Sequence, residues 1–142
     1  MKRICFVCHG NICRSPMAEF ILKDRVNNLG LTDYLIVSRA TSSEEIGNDM
    51  HNGTKEILDK YNIPYTSHCA TKLNKNDYEK YDFFICMDDN NIRNIKYIFS
   101  KTDKVIKLLD RDIKDPWYTL NFEETYKDIN IGIDRLINML EE

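Results

Sequence analysis

No stretch of this 142-residue chain is apolar for long enough to cross a bilayer, which takes about 20 residues. The apolar run Ile4–Cys8, after Lys2 and Arg3, is also shorter than the roughly 7–15 residues of a signal-peptide core, so it is expected to belong to the mature protein. A basic excess is missing too. Twenty Lys and Arg stand against 23 Asp and Glu, a net charge of −3. The cations are scattered rather than gathered into a patch, so neither nucleic acid nor a membrane surface is an expected partner. Proline and glycine are few, three and five. No linker, repeat or low-complexity tract divides the sequence, and one domain is expected over residues 1–142. A chain of this length can bury a core without disulfides or metals.

Cysteine is not scarce. Cys5, Cys8, Cys13, Cys69 and Cys86 occur without an export signal. That combination fits a reducing cytoplasm better than a disulfide framework.

The hydrophobic pattern alternates between two periods. Lys2–Val7 reads as a buried strand, followed by a loop over Cys8–Ser15. Ser15 as N-cap and Pro16 at the first helical position then open a helix that Gly30 stops. Further strands are expected at Tyr34–Ser38, Asp82–Met87 and Lys104–Leu108. Helices are expected over Thr54–Tyr61, along Ile92, Ile95, Ile98 and Phe99, and from Phe122 to Leu140. Arg39–Asn52 reads as irregular. The expected fold is α/β: an open, parallel, four-stranded sheet with helices on both faces, and a phosphate loop between the first strand and the first helix. In such folds ligands sit at the carboxyl ends of the strands.

That loop is where the chemistry gathers. Cys8-His9-Gly10-Asn11-Ile12-Cys13-Arg14-Ser15 sets an arginine six positions after a cysteine, and no other cysteine of the chain has one there. A free thiol has a pKa near ~8.5, and only its thiolate is a good nucleophile. Loop amides and a helix N-terminus favour negative charge and bind phosphate oxygens. Arg14 adds a planar fork that can hold two such oxygens, and Gly10 permits a tight turn and close backbone approach. The bland alternative makes Cys8 a small core residue, Arg14 a surface cation and Ser15 a mere cap. Cys5, inside the strand, reads as core filler. A metal site built on Cys5, Cys8 and Cys13 lacks a fourth ligand and paired knuckles. A nucleotide P-loop would need Gly-Lys-Ser/Thr.

Phosphate transfer to a cysteine also needs a proton for the leaving oxygen. Asp115-Pro116-Trp117-Tyr118 is the candidate, because proline fixes the direction of the preceding residue. The segment reads as a loop, on which the two aromatics could wall a slot for a flat group. A plain Asp-Pro turn is the alternative.

With these motifs in view, the sequence resembles the low-molecular-weight protein tyrosine phosphatases. The matching residues are Val7-Cys8-His9-Gly10-Asn11-Ile12-Cys13-Arg14-Ser15-Pro16-Met17-Ala18-Glu19, then Cys86-Met87-Asp88 with Asn90-Asn91, then Asp115-Pro116-Trp117-Tyr118. The resemblance implies that Cys8 attacks phosphorus and forms a cysteinyl-phosphate. Arg14 would clamp the phosphoryl oxygens, and Asp115 would protonate the leaving phenolate and then activate water. Ser15 would donate to the thiolate. Asn11 would hold the loop's strained shape, supported by Ser38 and His68. Cys13 would capture oxidised Cys8 as a disulfide. His9, Gly10, Asn11, Ile12, Cys13, Ser15, Trp117 and Tyr118 would surround the substrate. No metal or organic cofactor is implied. The implied partners are a phosphotyrosine-containing protein or peptide, and inorganic phosphate as product and competitive inhibitor; a monomer is expected.

Two departures stand out. Ser42-Ser43-Glu44-Glu45-Ile46-Gly47 places Glu44 near where many relatives carry an aromatic wall, and Trp117 stands for the first of two tyrosines. Two relatives share the scaffold. Thiol-coupled arsenate reductases need further cysteines, and Cys86 is near one such position with none after it. Arginine-phosphate phosphatases carry threonine where this chain has Ile12. A phosphate-binding module that recognises without cleaving is the non-enzyme alternative, and it would need neither Cys8 nor Asp115.

Overall fold

The computed structural model describes all of residues 1–142. Four strands, β1 (Lys2–Cys8), β2 (Tyr34–Ala40), β3 (Phe83–Cys86) and β4 (Val105–Lys107), form one sheet in the order β2-β1-β3-β4. Every pairing is parallel, with Val7 opposite both Arg39 and Cys86. The helices are α1 (Arg14–Asn28), α2 (Asn52–Lys60), α3 (Asp89–Ile95), α4 (Pro116–Thr119) and α5 (Phe122–Leu140). None is long and apolar enough to cross a membrane.

Alternation along β1 divides its side chains between two cores. Ile4, Phe6 and Cys8 face the larger one, with Met17, Ile21 and Leu22 of α1, Leu58 of α2 and Ile129, Ile133 and Leu136 of α5. Cys5 and Val7 face the smaller one, with Tyr78, Tyr81, Phe84, Cys86, Ile95 and Phe99. Both faces are covered, as a parallel sheet requires. Cys5 and Cys8 therefore lie on opposite sides.

Gly30 ends α1 as its position suggested. At φ 70° it follows the cap residue Leu29, its N–H bonds Asn27 O, and the Leu31 N–H bonds Val26 O. That is a Schellman closure, which glycine adopts without strain.

Three expectations need correction. First, α1 begins at Arg14 with Cys13 at its N-cap, so Ser15 is the second helical residue and its side chain is free for other work. Second, α3 stops at Ile95; tighter three-residue bonds, Tyr97 N–H to Asn94 O and Ile98 N–H to Ile95 O, replace the helix. Phe99 still reaches the core from that turn. Third, the segment after Asp115 is no open loop. It is the short helix α4, with Asp115 as N-cap and Pro116 at the first position. A 3₁₀ turn over Lys75–Glu79, closed by a capping box between Asn74 and Asp77, was not foreseen.

Candidate active site

β1 ends at Cys8 and α1 starts at Arg14, leaving five residues to reverse the chain at the carboxyl edge of the sheet. The left-handed backbone this requires falls on Asn11, at φ 60°, not on Gly10. Asparagine tolerates that region better than most residues, and here every polar group of Asn11 is engaged. Its Nδ2 donates to Ser15 Oγ at 2.8 Å and Ser38 Oγ at 2.9 Å. Its Oδ1 accepts from the Thr71 N–H at 3.1 Å. Its carbonyl accepts from His68 Nε2 at 2.7 Å.

The direction of these bonds can be followed. Glu19, buried on α1, is a carboxylate salt-bridged to Lys23 at 2.5 Å, and it accepts from Ser38 Oγ at 2.6 Å. Ser38 and then Ser15 offer lone pairs to the Asn11 amide. The Ser15 hydroxyl hydrogen is left to point at Cys8 Sγ, 3.0 Å away. The Asn11 main-chain N–H points at the same sulfur from 3.3 Å. Two contacts thus converge on the Cys8 sulfur.

Arg14 is almost sealed, with a side chain 3% exposed. Its guanidinium donates to Asp88 Oδ2 at 2.6 Å, the Ile113 carbonyl at 2.8 Å and Asp115 Oδ2 at 3.4 Å. Burial works against its charge, but Cys8, Asp115 and Asp88 outweigh that and hold its pKa above the usual value. Three of its five N–H groups are used, leaving others for a ligand. Asp115 Oδ1 is committed to the Trp117 N–H at 3.0 Å. Burial, and the negative charges at Cys8 and Asp115, push the Cys13 thiol up to about 12.

A cleft of about 510 Å³, open mouth included, lies over this loop. Cys8, His9, Gly10, Ile12, Cys13, Arg14, Asp115, Trp117 and Tyr118 line it together with Glu44 and Glu45. Asn11 and Ser15, expected among the substrate-contacting residues, do not line it. They are fully buried, where the Ser15 hydroxyl and the Asn11 main-chain N–H hold the sulfur and the Asn11 side chain holds Ser15. Ser38 and His68 reach Asn11 from β2 and from the segment before the 3₁₀ turn. Glu44 stands at the mouth, and its carboxylate accepts from His9 Nε2 at 3.0 Å. Trp117 and Tyr118 are 51% and 81% exposed.

Two residues inside the matching motifs, given no role at the site by the sequence, shape it. Asp88 caps α3 through Oδ1 to the Asn91 N–H and anchors Arg14 through Oδ2. Its place directly after a strand's carboxyl end was the available signal. Glu19 lies four positions beyond Ser15, on the same helical face, but a charged residue in a helix gives no sign of burial.

The comparisons agree with this geometry. The family model for low molecular weight phosphotyrosine protein phosphatases matches residues 3–142. The chain is similar to the low molecular weight protein-tyrosine-phosphatase PtpA of Staphylococcus epidermidis, 39% identical over 147 aligned positions, covering 99% of this chain and 94% of that one. The Staphylococcus aureus PtpA is 37% identical over the same span. Among solved structures, the low molecular weight protein tyrosine phosphatase SP-PTP of Streptococcus pyogenes superimposes with a TM-score of 0.91 at 41% identity, covering 99% of this chain and 93% of that one. YfkJ of Bacillus subtilis superimposes with a TM-score of 0.94 at 35% identity, covering 99% and 95%. With both motifs in one cleft and the match running nearly end to end, this chain belongs to the low molecular weight phosphotyrosine protein phosphatase family.

Proposed function

We propose that this protein hydrolyses phosphotyrosine in protein or peptide substrates through a phosphorylated Cys8. The observation that carries the reading is the arrangement of Arg14. It ties the loop holding Cys8 to Asp115, two residues far apart in sequence, and it keeps donors to spare. The Cys8 thiolate attacks phosphorus as the bond to the tyrosine oxygen breaks. Arg14 and the first amides of α1, which the Cys13 side chain does not cap, take the phosphoryl oxygens. Asp115 gives its proton to the leaving phenolate. Water then attacks the phosphocysteine, Asp115 takes the proton of that water, and the phosphorus–sulfur bond breaks to return the thiolate. Phosphate, the product, competes for the same cleft. Trp117 and Tyr118 flank the aryl group.

The arsenate reductase reading fares worse, because Cys86 is fully buried and its thiol is pushed up to about 12 by burial, Asp88 and Cys8. A thiol so placed is a poor relay partner. Five unpaired thiols support a cytoplasmic setting.

The test is a leaving-group series. Asp115→Asn should slow cleavage of phosphotyrosine, whose phenol has a pKa near ~10, by about 10²–10⁴-fold. The loss in the phosphorylation step should shrink as the leaving phenol becomes more acidic. A loss equal for all leaving groups would make Asp115 a structural turn residue.

A further inference from the structure

His51, just before α2, is half-buried and has no part in the chemistry above. Its main-chain N–H donates to the carbonyl of Ile12 in the phosphate loop at 2.9 Å, and Thr54 Oγ1 reaches the same carbonyl at 3.4 Å. Its ring Nδ1 accepts from the Gly53 N–H at 2.9 Å and caps α2. The rest of the ring packs on the segment that carries Asp115. It stacks on Phe122 with centroids 5.1 Å apart and planes 25° apart, and it meets Trp117 edge-on at 5.7 Å and 83°. Gly53 makes the Phe122 contact possible, since a Cβ there would lie 2.4 Å from the phenyl ring. Phe122 also packs against the small cluster of Ile12, Cys13 and Ala70.

Asp115 has few other ties. Arg14 reaches it only at 3.4 Å, long for a charge-assisted bond of about 2.7–2.9 Å. Its firm bond is to the main-chain N–H of Trp117, so wherever Trp117 sits, the acid follows.

We infer that His51 is a positioning residue for Asp115: its main chain is fixed to the phosphate loop while its ring sets where Trp117, and with it the acid, stands. This rests on Asp115 being the general acid. A shift on the order of 1 Å in such a group can cost about 10²-fold in rate.

Two variants separate the helix cap from the ring. His51→Asn keeps a good cap acceptor and removes the ring. His51→Phe keeps a ring and removes the acceptor. Each is measured for melting temperature, for inhibition by inorganic phosphate, and for kcat/KM, which reports the phosphorylation step, on phosphotyrosine and on aryl phosphates of graded leaving group. His51→Asn should melt near the parent and bind phosphate equally well. It should lose about tenfold or more in kcat/KM on phosphotyrosine, with the loss fading for good leaving groups. His51→Phe should melt lower but regain most of that rate. In the Asp115→Asn background, His51→Asn should add almost nothing, since both remove one function. Full kcat/KM in His51→Asn, a kcat/KM loss uniform across leaving groups, or rates that simply follow melting temperature would overturn the inference. If Asp115→Asn itself shows no leaving-group dependence, the acid assignment fails and the inference with it. If Asp115→Asn behaves as expected and His51→Asn does not, the inference alone fails.

Discussion

The cysteines occupy contrasting surroundings. Burial drives the thiol of Cys5 well up and those of Cys13 and Cys86 to about 12. At Cys8 a hydroxyl and an amide converge on the sulfur instead. Replacing that sulfur separates binding from chemistry. Cys8→Ser should still bind vanadate or phosphate through Arg14 and the loop amides, yet lose turnover, because no base stands ready to deprotonate a hydroxyl. Cys13 gives a second residue-scale prediction. Mild peroxide should inactivate reversibly through a Cys8–Cys13 disulfide, and Cys13→Ser should recover less activity with dithiothreitol. Capture proceeds through the Cys13 thiolate, a form that burial of the thiol disfavours. Its fraction rises as pH rises, so disulfide formation after a peroxide pulse should speed up between pH 6 and 9. A pH-independent capture rate, read by mass spectrometry of quenched samples, would point to another resolving thiol.

At the scale of elements, strong periodicity was legible and special backbone was not. The continuous apolar run of β1 and the long stripe of α5 identify themselves, as does the glycine ending α1. Gly10 reads as the residue that permits a tight turn, and the positive φ of the phosphate loop sits on Asn11, where its Nδ2 donates to Ser15 and Ser38 and its Oδ1 accepts from the Thr71 N–H; Ser38 and Thr71 lie far away in sequence. Asp-Pro carried the signature of a helix start, but four residues of α4 show no periodicity. The segment after β2 is the other informative element. Glu44 and Glu45 bring carboxylates to the cleft mouth, so phosphotyrosyl peptides with Lys or Arg beside the tyrosine should be cleaved with higher kcat/KM than those with Glu. The preference should weaken in Glu44→Gln, Glu45→Gln and with added salt. Equal rates for the two peptide classes would show that the mouth does not read charge.

At the scale of the molecule, the parallel sheet brings the parts together: β1 delivers Cys8, β3 delivers Asp88, and the chain leaving β4 delivers Asp115, all at one edge. Close packing of α5 keeps that edge in place. Gly132 of α5 faces Leu108 after β4, and a Cβ there would fall 2.4 Å from Leu108 Cγ. Gly132→Ala gains up to ~1 kcal/mol in helix propensity, but overpacking costs roughly 1–3 kcal/mol. Urea unfolding should therefore show a net loss of stability, whereas a gain would mean that α5 can move away from the sheet freely. The proposed route of catalysis passes through phosphorus bonded to Cys8. Rapid acid quench during turnover of phosphotyrosine labelled with radioactive phosphorus tests it most directly. Label is expected on the peptide containing Cys8, formed and lost at rates that match kcat and absent in Cys8→Ser. Label on a histidine, or turnover with no trapped phosphocysteine under conditions that preserve one, would contradict it.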